Sequence, residues 1–178
     1  MKKFLFSLSI SLLISGILIG RYFSDFYAFK TGGRLLLPVR IEDVKTDAFS
    51  SRARVRYYNF IPVDELLKEK GTVVISRSDD GRAEFVSKAA GQRLRPRELL
   101  LKYTIMPPSL LKRETTEPNI RFATSELRFA SDQKLQVSAV CYAVVYVNGN
   151  GDAFLAGLAD CSGAQLTKGL IFPIDRTL

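Results

Sequence analysis

The sequence contains no histidine at all among its 178 residues. That removes the usual base near neutral pH, the Ser–His and Cys–His nucleophile pairs, and the commonest zinc ligand. Only two cysteines are present, so a four-sulfur metal site is excluded. A cation cage would have to be all oxygen, and no EF-hand-like spacing of acidic residues occurs. No cofactor motif, internal repeat or low-complexity tract is found. The expectation is therefore no cofactor, no metal-ligating set and no catalytic constellation, in a binding protein rather than an enzyme.

Charge is not lacking. The net charge is +8; Lys2 and Lys3 supply two of these, which leaves six for the rest of the chain. Such an excess suits an anionic lipid or another acidic surface, or serves solubility alone. Apolar residues make up 47% and charged residues 25%, a globular balance.

The longest uncharged run is Phe4–Gly20, FLFSLSISLLISGILIG, preceded by Lys2 and Lys3 and followed by Arg21. With Tyr22 and Phe23 it reaches bilayer-spanning length. Small residues do not stand together at −3 and −1 of any cleavage point after it, which favours an uncleaved anchor over a removed signal peptide. No Cys follows the run, which argues against lipoprotein processing. The expected organisation is a single N-terminal transmembrane helix over 1–23, a juxtamembrane linker over 24–33, and one β-rich extracytoplasmic domain over 34–178. The N-terminus would lie inside and the domain on the periplasmic side of the cytoplasmic membrane. Gly16 and Gly20 form a GxxxG pair in line with Ser7, Ser11 and Ser15, so homodimerisation through this segment is a second expectation.

Beyond residue 33 the pattern is mostly period two. Arg34–Ile41 reads as a strand with Pro38 near an edge or bulge. Arg52–Tyr58 alternates, placing Arg52, Arg54 and Arg56 on one face and Ala53, Val55 and Tyr57 on the other. Three arginines at that spacing are candidates for contact with an anion, or a solvated outer face that blunts an edge. Pro62–Lys70 predicts a short helix ending at Gly71. Thr72–Ser76 and Arg82–Val86 flank Ser78-Asp79-Asp80-Gly81, a hairpin signal in which the two aspartates serve the turn.

Glu98–Ile105 predicts another strand, and Leu110–Pro118 a polar connection after Pro107-Pro108. Ile120–Asp132 is ambiguous: Ile120 and Phe122 suit a strand, and Thr124–Ala130 a helical turn. Leu135–Val147 is apolar on both faces and predicts a central buried strand, returning through Asn148–Asp152 into Ala153–Leu158. If Asn148 faces Phe154, Cys141 faces Cys161. These two are then either a disulfide or two buried reduced thiols. Strands with one or two short helices define the expected fold class: α+β, with a mainly antiparallel sheet.

From Arg34 to Gly163 the order of these segments resembles the GDYXXLXY family of small membrane-anchored bacterial proteins. Val55 and Tyr57 match the aliphatic and final aromatic positions of the signature. Ser50, Ser51 and Arg52 replace its Gly, Asp and first Tyr. Val73–Val86 is similar to the family's middle hairpin, Ile120–Asp132 to its aromatic-acidic segment, and Val144–Leu158 to its final hairpin. The resemblance implies a membrane-tethered, non-enzymatic domain and names no substrate.

The expected partners are membrane lipid and another membrane or envelope protein. Nucleic acid is not expected, because no recognised binding motif accompanies the arginines. Two alternatives stand beside this accessory role. One is a Ser/Lys hydrolase, which needs no histidine and would use Ser109 and Lys112. The other is a binder of anionic lipid or cell-wall polymer through Arg52, Arg54 and Arg56.

Overall fold

Leu35, Leu36 and Leu37 are consecutive, so a strand through them sends apolar side chains to both faces and must be covered on both. That requirement shapes the architecture. In the computed structural model, which describes Gly16 and residues 32–62, 69–89, 91, 93–106 and 119–169, this strand lies inside a six-stranded antiparallel sheet.

The strands are β1 (Gly33–Thr46), β2 (Ser50–Tyr57), β3 (Lys70–Arg77), β4 (Ala83–Lys88), β5 (Glu98–Met106), β6 (Asn119–Arg121), β7 (Glu126–Ala130), β8 (Tyr142–Val147), β9 (Ala153–Ala159) and β10 (Gln165–Lys168). The larger sheet has the order β10-β9-β8-β1-β2-β7, and the smaller one β4-β3-β5-β6. One core joins the inner faces of both sheets, with Leu35, Leu37, Val55 and Phe129 from the larger and Val73, Ile75 and Leu101 from the smaller. A bridge between Phe129 and Gly169 brings the β7 edge to the chain leaving β10. The larger sheet thus curls toward closure, which protects edges that would otherwise be open.

Strand β1 changes partner along its length. Gly33–Pro38 pairs with β8, and Val39–Thr46 pairs with β2. Pro38 sits at the change-over, where a missing N–H costs no ladder bond on the β2 side, since that ladder begins at Val39. The edge of β1 that β2 leaves open is taken by a turn of the smaller sheet: Leu36 N–H donates to Gly81 O at 2.8 Å.

A second turn docks the opposite way. Lys102 N–H of β5 donates to Gly151 O at 2.9 Å, and Lys102 Nζ meets Asp152 Oδ1 at 2.9 Å. Gly151 has φ +84°, and a Cβ there would lie 3.1 Å from Leu100 Cβ, so both the left-handed backbone and the close approach require glycine. Each sheet is therefore fastened to the other by a hairpin turn.

Several expectations are corrected. The fold is all-β rather than α+β: among the described residues the helical features are the 3-10 turn Val137–Ala139 and the isolated Gly16. No helix of the described residues is long and apolar enough to cross a membrane. Apart from Gly16 the stretch over 1–23, with Gly20, lies outside the described residues, as do the linker up to residue 31, residues 63–68 and residues 107–118. Of the expected Pro62–Lys70 helix, Lys70 in fact opens β3, paired with Thr104.

Thr124–Ala130 does not form a helical turn. Leu127 and Phe129 are buried at period two, and this alternation pairs the segment with β2 as β7. The strand expected over Leu135–Val147 begins only at Tyr142, because the 3-10 turn exposes Val137 before it. The β8–β9 register pairs Tyr146 with Phe154 and Asn148 N–H with Asp152 O, two residues away from the expected Asn148–Phe154 pairing. The Asn148 side chain sets that turn by accepting from Asn150 N–H and Asp152 N–H. Strand β10 has no counterpart in the sequence reading.

Candidate functional site

The β2 sequence alternates, and its burial follows: Ser51, Ala53, Val55 and Tyr57 are buried, while Arg52, Arg54 and Arg56 lie between them on the outer face. Strand β2 is not an edge. It lies between β1 and β7, so the arginines occupy the middle of an outer face.

Register widens the row into a patch. Arg56 stands opposite Arg40, Arg54 opposite Asp43 and Glu126, and Arg52 opposite Lys45 and Arg128. A bulge at Glu42 keeps this face polar, because it lets Ile41 and Val44 both turn toward the core while Asp43 and Lys45 face out. Arg40, Lys45 and Arg128 sit on neighbouring strands, so no period within β2 could reveal them. The signal for Arg128 was its place between Leu127 and Phe129.

Three cross-strand pairs on this face are like-charged: Arg40–Arg56, Lys45–Arg52 and Arg52–Arg128. Directly opposed like charges cost stability. Glu126 offsets part of the cost, with Oε1 at 2.9 Å from Arg52 Nε and 3.7 Å from Arg128 Nε. Lys45 Nζ is 3.9 Å from Asp43 Oδ2. Six cations against the acids Glu42, Asp43 and Glu126 leave a positive excess of three.

At the end of this face the β1–β2 hairpin closes, with Asp47 N–H donating to Ser50 O at 2.8 Å. Its tip carries Phe49, 92% exposed. Beneath the tip, the Thr46 and Ser51 hydroxyls share a hydrogen bond of 3.1 Å, and Ser51 is 3% exposed.

The other half of the sheet has a different outer face. Leu36, Val144 and Ala159 form a small second cluster, flanked by Tyr142 and Tyr146. Two turns border it. In one, Asp80 accepts from the Ser78 hydroxyl and pairs with Arg82 at 2.8 Å. The Ser78 hydroxyl is the main cause that holds the Asp80 carboxyl below the usual carboxylate range, and Arg82 adds to it. In the other, Asp160 accepts from the Ser162 hydroxyl, Ser162 N–H and Ala164 N–H, and its carboxyl is lowered likewise, first by Ser162.

Arg82 lies over the Tyr142 ring at 5.2 Å and donates to Cys161 O at 3.2 Å, while Arg34 donates to Gly163 O at 3.0 Å. Cys141 and Cys161 are joined by a disulfide, with Cα atoms 5.0 Å apart. Cys141 precedes β8 and Cys161 opens the turn after β9, so the bond ties the Asp160 turn to the sheet beyond the end of the ladder.

Buried between these regions is Tyr57, whose hydroxyl donates to Thr124 O at 2.9 Å. Burial pushes its pKa upward, against the pull of Arg121. No group of three or more His, Cys, Asp and Glu able to hold a metal is gathered among the described residues. Ser109 and Lys112 lie outside them. No protein-family model, no curated protein and no solved structure matches this chain.

Proposed function

We propose that this chain is an extracytoplasmic binding or accessory protein, directed to the membrane by Phe4–Gly20, that meets an anionic envelope surface with the basic face of β1, β2 and β7. The observation that carries the reading is the row of like-charged cross-strand pairs. A face that gives up stability in this way is suited to a ligand whose negative charge relieves the repulsion. Arginine also fits phosphate and carboxylate in pairs of hydrogen bonds, which lysine cannot match.

The Cys141–Cys161 bond supports a compartment outside the cytoplasm, where disulfides persist. The likeness to the GDYXXLXY proteins is part of the same proposal, as is a role without catalysis. Two experiments test it. Protease added to spheroplasts removes the domain on this reading; a domain that survives intact would place it inside. Retention of the full chain on phosphocellulose in neutral detergent is expected to fall on replacing Arg52, Arg54 and Arg56 with Ala. Unchanged retention would remove the basic face from the account.

A further inference from the structure

The hairpin tip beside the basic face carries an inference of its own. Phe49 is far more exposed than the other large exposed apolar side chains, Tyr58, Val86, Leu94 and Val137. Leaving a phenylalanine ring in water rather than burying it forgoes roughly 2–3 kcal/mol. The hairpin around it is not slack. Its loop is Ala48-Phe49, closed by the Asp47–Ser50 backbone bond and backed by the buried Ser51 hydroxyl on Thr46. A hydrogen-bonded tip thus presents one aromatic side chain outward.

Charge lies directly behind it. The Lys45–Arg52 pair sits one step below the Thr46–Ser51 pair, and Arg128 adjoins Arg52 on β7. At roughly 3.4 Å of rise per strand residue, these cations trail the ring by about 10 Å. That offset matches a bilayer interface, where an apolar group sits about 5–10 Å deep at the headgroup–acyl boundary and cations remain at the phosphates.

We infer that Phe49 is a membrane-insertion tip: it enters the interface of an anionic bilayer while Lys45, Arg52 and Arg128 hold the lipid phosphates. The inference rests on the proposed anionic contact of the basic face and names its ligand as lipid. A bilayer is the surface this chain would meet at highest effective concentration, because Phe4–Gly20 directs the same chain to it. The connection permits the approach. Residues 21–32 can span up to roughly 40 Å, enough for β1 to be inclined to the bilayer with its Thr46 end lowest, so that the ring still lies deeper than the cations. Asp47 in the tip and Asp132, two residues past the Ala130 that stands opposite Ser50, are exposed acids. They confine insertion to Ala48 and Phe49, and Asp47→Asn deepens it.

The chain contains no tryptophan, so Phe49→Trp creates a fluorophore that reports on the tip alone. The full-length variant is reconstituted in phosphatidylcholine vesicles with or without a third of phosphatidylglycerol. With phosphatidylglycerol, the emission shifts to the blue and brominated acyl chains quench it. Both effects are lost when Arg52 and Arg128 become Gln, and Val86→Trp on β4 stays water-like throughout.

A tryptophan at position 49 that remains water-like in both vesicles overturns the insertion. The basic-face reading survives that result if phosphocellulose retention persists, and falls with it if retention is also absent. Equal insertion in both vesicles overturns the assignment to an anionic bilayer, because phosphatidylcholine carries a phosphate but no net charge. A blue shift seen only on adding envelope protein assigns the tip to a protein pocket and overturns the lipid assignment.

Discussion

The two halves of β1 obey different rules within one continuous strand. From Gly33 to Pro38 it is closed on every side: β8 on one edge, the Gly81 turn on the other, the core under Leu35 and Leu37, and the tyrosine-flanked cluster over Leu36. From Val39 to Thr46 only the inner face is covered, and the outer face holds charge of mainly one sign. The first half is fastened by a disulfide, two capped turns and an arginine over Tyr142. The second half is left open and ends in a bare phenylalanine ring. The stabilising devices thus gather away from the surface assigned to binding, which leaves that surface free to keep unfavourable charge pairs.

The largest stability effect should come from breaking the closed half. Leu36→Ala removes a side chain 1% exposed and is expected to cost about 3–4 kcal/mol in urea unfolding. Opening the disulfide, by reduction or by Cys141→Ala with Cys161→Ala, frees a crosslink spanning 20 residues and should cost about 3 kcal/mol. Equal unfolding midpoints with and without reductant would show that the bond does not support the first half.

Gly151→Ala forces a left-handed alanine against Leu100 and should cost about 2 kcal/mol. Acid is expected to act on the same half. Asp80 and Asp160 have folded pKa values below their ordinary value of 3.8, so the stability they provide is present above that value. It is lost as pH falls through the lowered folded values. Amide exchange in the Ser78–Arg82 and Asp160–Ala164 turns should therefore quicken in strong acid before exchange in β2 does. The smallest stability effect belongs to the open half: Arg54→Ala should change unfolding by less than about 0.5 kcal/mol while weakening binding.

The same division explains how much of the molecule the sequence made legible. The positions of hairpins with strong local chemistry could be read directly, as Asp80-Gly81 and the Asn148–Asp152 turn show, because the turn residues are close in the chain, although the register leaving the Asn148 turn could not. The row of Arg52, Arg54 and Arg56 on one face was legible for the same reason.

What depends on distant partners was not. The change of partner at Pro38 is decided by β8, which lies more than a hundred residues later in the chain, and by the Gly81 turn. Arg40, Lys45 and Arg128 join the row only through register, and the Glu42 bulge changes which residues face out. The β8–β9 register was misplaced by two residues at the turn because the Asn148 side chain selects a different turn. The bulge between Val144 and Val145 moves the ladder back toward the expected register, and Cys141 and Cys161 meet as a disulfide. The expected helical turn over Thr124–Ala130 gave way where period-two burial of Leu127 and Phe129 outweighed local propensity.

The central claim is that binding depends on where the positive charge sits, not on how much there is. The affinity of the full chain for polyphosphate in neutral detergent, followed as a function of salt, measures this most directly. The wild-type protein should lose affinity steeply, with log K falling linearly in log salt. Replacing Arg52, Arg54 and Arg56 with Ala should flatten that slope by about two to three. Replacing Lys70, Arg93 and Arg95, which removes the same charge elsewhere, should leave it near wild type. Equal slopes for the two triple variants would contradict the claim.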